Sequence, residues 1–213
     1  MKLTRILLFM LLLLFDLFAR AQTARPALIS PLASYSAEWN KPVFMDLNTA
    51  RDSNYLTGME KDLIWILNMV RQDPKLFLKT VVLNPKSEYY RKPEYRNNYF
   101  NSLVSDLQKQ APNKSPLRPD RSLFQSAFCH AMNSGKTGYV GHDRKWECNT
   151  RFAGECCSYG FDDALDIIMQ LLIDDGVPSL GHRSICLNPE YDELGISIQQ
   201  HAVYSYNAVL DFY

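Results

Sequence analysis

Apolar residues recur at three- and four-residue spacing through most of the chain and switch to alternation only near its end. Leu63, Ile64, Leu67 and Val70 share one face and predict a helix over 60–69. Asp73-Pro74 restarts a helical stretch through Leu83, with proline in a favoured first-turn position. Leu123, Phe124, Ala127, Phe128 and Ala131 form one face of a helix over about 121–134. Asp162-Asp163 caps a further helix over 164–173, with Leu165, Ile168, Met169 and Leu172 facing inward. Leu194, Ile196 and Ile198 then alternate as a strand. Residues 204–212 form a second, with His201-Ala202-Val203 near the turn between them. Helices mixed with antiparallel strands in this way predict an α+β sandwich.

Two stretches break the periodicity. Residues 22–57 are rich in Ser, Pro, Ala and Asn and read as an extended leader or linker that packs only in part. Residues 84–115 read as an insertion with a short helix over 103–110. Tyr89, Tyr90, Tyr95, Tyr99 and Phe100 lie there among Lys86, Arg91, Lys92 and Arg96. Such interleaving occurs in single-strand nucleic-acid and glycan binding. The plainer reading is a solvated loop whose tyrosines cover the edge of the core.

The N-terminus changes the setting. Lys2 and Arg5 precede an apolar run over 6–14, and Ala19-Arg20-Ala21 is a small-x-small cleavage site before Gln22. Residues 1–21 are therefore expected to be a cleavable signal peptide, and the mature chain secreted, periplasmic or otherwise extracytoplasmic. The run is too short, and too soon interrupted by Asp16, to span a membrane comfortably. No transmembrane segment is expected in the mature chain. The charges balance, 23 Lys and Arg against 23 Asp and Glu. A dedicated nucleic-acid binder would need a basic excess for phosphate contacts.

Export allows the five cysteines, Cys129, Cys148, Cys156, Cys157 and Cys186, to oxidise. The odd number leaves at least one outside intramolecular pairing, so at most two bridges form. Adjacent Cys156 and Cys157 are poorly placed to bond each other, because a bridge needs converging Cβ vectors. No Cys-x-x-Cys pair points to a cysteine zinc site.

The chemistry concentrates between Gly141 and Arg183. Gly141-His142 and Gly181-His182-Arg183 bracket Gly154-Glu155 and Asp174-Asp175-Gly176. Two imidazoles and a carboxylate make a minimal ligand set for a divalent metal, or a proton-handling set near neutral pH. Each residue also has a plainer reading. His142 is then a surface-loop histidine, His182 a cap on the 179–184 turn, and Glu155 a partner for backbone amides. Asp174 and Asp175 are then a helix end, His130 a satisfied core histidine, and His201 a solvent-exposed turn residue. Cys156 is the one cysteine expected to approach this region, where the neighbouring Glu155 carboxylate would disfavour its thiolate. Ser179, His182 and Asp174 lack the Gly-x-Ser-x-Gly elbow of a serine hydrolase.

From about residue 59 to 212 the chain resembles the CAP superfamily, the SCP-like cysteine-rich secretory, antigen-5 and pathogenesis-related proteins. The resemblance rests on Ala127-Phe128-Cys129-His130-Ala131, Gly141-His142, Gly154-Glu155, Gly181-His182-Arg183, Leu194-Gly195-Ile196 and Asp211-Phe212, in that order. Asn68 and Arg71 match an Asn and Arg of the family's first helix. The resemblance implies one domain over 58–213, built as a three-layer α-β-α sandwich with a largely antiparallel central sheet. It also implies a cleft lined by His142, Glu155, Asp174 and His182. Cys156 stands where the family has Asn after Gly-Glu. Leu171 and Asp174 take the Trp and Glu places of the helix motif, with Asp175 as the other candidate acid. A divalent cation such as zinc would be held by His142 and His182. The implied role is an extracytoplasmic binding module for a cation or a small peptide, glycan, lipid or extracellular protein partner. The alternative is a metal-dependent hydrolase of ester or peptide bonds with Glu155 as base. The family carries no settled activity, so a binding role is expected ahead of catalysis.

Overall fold

The computed structural model describes residues 28–148 and 151–213. The signal-peptide reading of 1–21 and the first part of the leader lie outside the described residues. Helices of seven or more residues are labelled α1 to α5 and strands β1 to β4. Helix α1, Gly58–Gln72, starts on a capping box: Thr57 Oγ1 accepts from the Glu60 amide and Glu60 Oε2 accepts from the Thr57 amide. Glu60 Oε1 also accepts from the Ile198 amide at 3.0 Å, tying the helix start to the sheet.

The periodicity marked one face of α1, yet Trp65, Ile66 and Met69 on its other sides are buried as well. The covering comes from the segment read as a partly packed leader. Leu32, Trp39, Phe44, Leu47, Ala50 and Leu56 all enter the main core. Trp65 Nε1 donates to the Phe44 carbonyl at 2.7 Å, and Asn68 Nδ2 donates to the carbonyls of Leu47 and Leu117. The extended-leader reading is therefore corrected for residues 28–57. Their apolar side chains follow no period because short turns, Ala37–Asn40 and Pro42–Met45 among them, aim each one separately.

After α1, Asp73 caps the turn Pro74–Phe77, which runs into a π-type turn over Leu78–Val82. Helix α2, Asn98–Lys109, begins earlier than the sequence suggested because Asn97 caps it, and it buries Phe100, Leu103 and Leu107. Tyr90 is buried and its hydroxyl donates to the Asp166 carbonyl at 2.9 Å. Within residues 84–115 this tyrosine covers the edge of the core.

Strand β1 is Arg118–Pro119, helix α3 is Arg121–Thr137, and strand β2 is Gly154–Tyr159. Helices α4, Ala164–Ile173, and α5, Gly181–Leu187, precede the hairpin of β3, Glu193–His201, and β4, Ser205–Phe212. The sheet order is β1-β3-β4-β2. β4 pairs antiparallel with both β2 and β3, and β1 pairs parallel with β3. The fold is α+β with a mixed sheet, which corrects the expectation of a largely antiparallel one. The amides of Arg118 and Asp120 donate to the Asp192 and Leu194 carbonyls, so the Pro119 nitrogen, which has no hydrogen, faces the open edge of the sheet where no donor is needed.

Alternate residues of the sheet serve different cores. Leu194, Ile196, Leu210, Phe212 and Cys156 join the core of α1 and α4. Val209 and Cys157 pack with Ala127 and Ala131 of α3. Gly195 explains how closely α3 sits on β3: a Cβ there would lie 2.0 Å from the Leu123 carbonyl carbon. Among the described residues no helix is long and apolar enough to cross a membrane.

Candidate ligand-binding cleft

Strand β2 lies at the end of the sheet order. Its residues alternate, so Glu155, Cys157 and Tyr159 share one face and Cys156 and Ser158 the other. The loop after α3 brings His142 to the Glu155 face. Gly141 has φ +134, and a Cβ there would lie 2.6 Å from the Tyr139 hydroxyl oxygen, so the turn into His142 needs glycine. The Gly141 amide donates to the Tyr159 hydroxyl at 3.0 Å. Gly181 plays a different part. It is the first residue of α5, and the left-handed positions nearby are Asp174, Gly176 and Leu180.

The two imidazoles meet, with ring centroids 5.9 Å apart. Each is held through Nδ1 by its own acid. His142 Nδ1 lies 2.7 Å from Glu155 Oε1, and His182 Nδ1 lies 2.7 Å from Asp174 Oδ1. A carboxylate only accepts, so Nδ1 carries the proton and Nε2 of the neutral ring keeps its lone pair. The His142 side chain is 54% exposed and that of His182 19%, so the pair opens to solvent from the His142 side.

Asp174 reaches His182 although its side chain is one methylene shorter than glutamate. It is the left-handed C-cap of α4, with φ 58, and that conformation turns it toward α5. Its Oδ2 accepts from the His182 and Arg183 amides at 2.9 and 3.2 Å. It thereby caps a helix whose own N-cap, Leu180, supplies no side-chain acceptor. Asp175 does not enter this arrangement; it accepts from Asn97 Nδ2 at 3.0 Å. Arg183 completes the junction. Its guanidinium donates to the Leu172 and Ile173 carbonyls, to Ser102 Oγ and to Asp106 Oδ2.

Glu155 depends on residues that the sequence reading did not single out for the site. Arg144 Nη2 pairs with Glu155 Oε2 and lies 2.5 Å from Asp211 Oδ1, all three side chains being almost fully buried. Arg144 Nη1 donates to Ser126 Oγ at 2.7 Å, and the guanidinium lies over the Phe152 ring. Burial raises the Asp211 carboxyl above the usual range, with Arg144 pulling it back. A disulfide, Cys129–Cys148, ties this loop to α3. Two features of the sequence point here: Arg144 follows His142 by two residues, and Asp211 stands in the closing motif.

The cysteine near the cleft is Cys157, not Cys156. Cys157 Sγ lies 3.8 Å from His142 Nδ1, and burial pushes its thiol up to about 12, so it is no nucleophile at neutral pH. The strand's parity decides this: Glu155 and Cys157 share a face. His130 is buried, with Nε2 on the Gly141 carbonyl, and burial lowers its basicity. His201 is buried too, which corrects the solvent-exposed reading. Its Nε2 donates to the Tyr139 carbonyl and its Nδ1 accepts from the Val203 and Tyr204 amides, so it organises the hairpin turn.

Ligand atoms of His130, Glu155 and Cys157 lie within 4.8 Å of one another. Both Glu155 oxygens are already engaged there, and a cation would have to displace a buried guanidinium. The accessible donors are the imidazoles. A cavity of about 250 Å³ adjoins His182, lined by Asp174, Cys157, Gln170, Tyr89 and Tyr95. A larger groove of about 690 Å³ lies around Gln200 and His201 and shares none of these residues.

The model of the cysteine-rich secretory protein (CAP) family matches residues 67–212. This chain belongs to the CAP family. No curated protein and no solved structure gives a significant match. The CAP match spans both imidazoles and their acids, and begins inside α1. Residues 28–66 thus lie before the CAP match but inside the same core.

Proposed function

We propose that this CAP chain is an exported binding module whose paired imidazoles take a divalent cation, zinc first, or the polar end of a small organic ligand. The observation that carries the reading is the matched support of the rings. Each imidazole is anchored through Nδ1 by a carboxylate at 2.7 Å, which orients the other nitrogen for a ligand. His142 and His182 would hold the cation, with Glu155 and Asp174 orienting them from behind. Two protein ligands fall short of the three usual for catalytic zinc. Glu155 Oε1 faces His142 and Oε2 faces Arg144, so Glu155 has no free oxygen with which to act as general base. Both points favour binding over hydrolysis. The cavity of about 250 Å³ lies below the usual range for drug-sized ligands, and so favours a cation with a carboxylate, or a single sugar ring, over a whole lipid. Export is supported by the basic and apolar N-terminal pattern and by the Cys129–Cys148 bridge. The three-layer α-β-α reading is supported by the alternate burial of sheet residues against α3 and against α1 and α4.

The test is thermal unfolding with and without zinc, on wild type, His142→Ala and His182→Ala. At a hundredfold excess over the dissociation constant, zinc should stabilise the wild type by about 2.7 kcal/mol. That corresponds to a rise in Tm of roughly 5–10 °C. Protons compete for the same nitrogens, so the shift should shrink from about pH 7.5 to about pH 5.5. It should vanish in both variants. A shift that survives both substitutions would place the cation elsewhere. No shift in wild type at either pH would remove the metal and leave an organic ligand.

A further inference from the structure

Cys156 and Cys186 carry no disulfide in the structure, yet their sulfurs lie 4.0 Å apart. Both side chains are fully buried. Cys156 follows Glu155 on β2, and Cys186 lies one turn after His182 on α5. Besides the Cys186 sulfur, the Cys156 thiol meets the His182 carbonyl at 3.6 Å, a weak contact. Among the described cysteines Cys157 faces the opposite side of the strand, against α3. The pair therefore sits between the strand that anchors one imidazole and the helix that carries the other.

We propose that Cys156 and Cys186 are a second disulfide site, which closes in the oxidising compartment and locks α5 onto β2. The first bridge holds the His142 loop to α3, and this one would hold the His182 helix to the Glu155 strand. The sulfurs need to close from 4.0 Å to about 2.05 Å, a change that side-chain rotation and a small shift of α5 supply. The oxidant is a disulfide-bearing compound of the compartment, for which oxidised glutathione stands in. One cysteine thiolate attacks a glutathione sulfur, breaking that S–S bond and releasing one glutathione thiol. The second thiolate then attacks the mixed disulfide and releases the other. Two protons and two electrons leave the cysteines, and one oxidised glutathione is reduced to two glutathione thiols. Both thiols are fully buried in the folded chain, so the exchange takes place while the chain folds, before α5 closes over them.

The experiment refolds the full chain from reduced, denatured protein in a glutathione redox couple. It then alkylates under denaturing conditions and maps tryptic peptides without reduction. Cleavage after Arg151 and Arg183 separates residues 152–183 from 184–213, so the bridge links two peptides at a loss of two hydrogens. One alkylated cysteine is expected, at Cys157. Cys157→Ser should keep the link and leave no alkylated cysteine, which distinguishes Cys156 from its neighbour. Cys186→Ser should leave two alkylated cysteines, with Cys129–Cys148 intact, and unfold several degrees below the bridged protein. Three alkylated cysteines in refolded wild type would overturn the proposal. So would a link that disappears in Cys157→Ser, or a bridged protein that melts below Cys186→Ser. None of these readouts depends on whether the imidazoles bind zinc.

Discussion

The two imidazoles hold the same distance to their acids but stand on different supports. Behind His142, Glu155 belongs to a buried ion cluster with Arg144 and Asp211. Behind His182, Asp174 rests on two backbone amides at the start of α5. The first arm depends on charge balance: removing the cation leaves two buried carboxylates. The second depends on a helix end, whose amides need an acceptor whether or not an imidazole is present. Equal ring geometry therefore hides unequal energetic exposure.

The largest test of this contrast is Arg144→Met. Stranding Glu155 and Asp211 in the interior should cost about 3–5 kcal/mol. In denaturant or thermal unfolding that is a drop in Tm on the order of 10 °C. A cost no greater than that of Asp174→Asn would mean that the arms are supported alike. Next in size is the metal arm of the contrast. Asp174→Asn keeps a capping oxygen but loses the carboxylate behind His182. Zinc affinity should fall ten- to a hundredfold by titration, with stability nearly unchanged. A large loss of stability instead would show that the carboxylate's charge, rather than its capping, holds α5. Asp174→Ala should then cost about 1 kcal/mol more than Asp174→Asn in unfolding experiments, since the cap itself is removed.

The smallest expected effect concerns pH. Burial lowers the basicity of His130, which sits on the Gly141 carbonyl with Arg144 and His142 nearby. A base whose folded value is depressed binds fewer protons folded than unfolded. Its contribution is fully present above the unfolded value and is lost as pH falls toward the folded one. His130→Gln should therefore flatten the fall in stability between about pH 7 and about pH 5, an interval around the reference imidazole value. An unchanged pH profile would show that His130 does not carry the acid sensitivity.

Much of this was legible in the chain. Helices α1, α3 and α4 and the final hairpin follow from spacing, because each presents a regular stripe to one core. Strand β2 escaped because Gly154-Glu155-Cys156-Cys157-Ser158-Tyr159 is buried almost throughout and shows no alternation of polarity. Residues 28–57 escaped because scattered turns, not a period, aim their apolar side chains into the core.

At the site, the sequence by itself determined which residue types were available and in what order: two histidines, each after a glycine, around Gly154-Glu155 and Asp174. It also marked Asp174 and Asp175 as the end of a helix, which is how Asp174 comes to turn left-handed toward α5. Only the tertiary structure decided the rest. It chose Asp174 over Asp175, turned Cys157 rather than Cys156 toward His142, and joined Arg144 to Asp211 across 67 positions of chain. Local spacing reports what one element must bury. Which charges share a pocket depends on how distant elements pack together, and that cost is set by burial rather than by any neighbour in sequence.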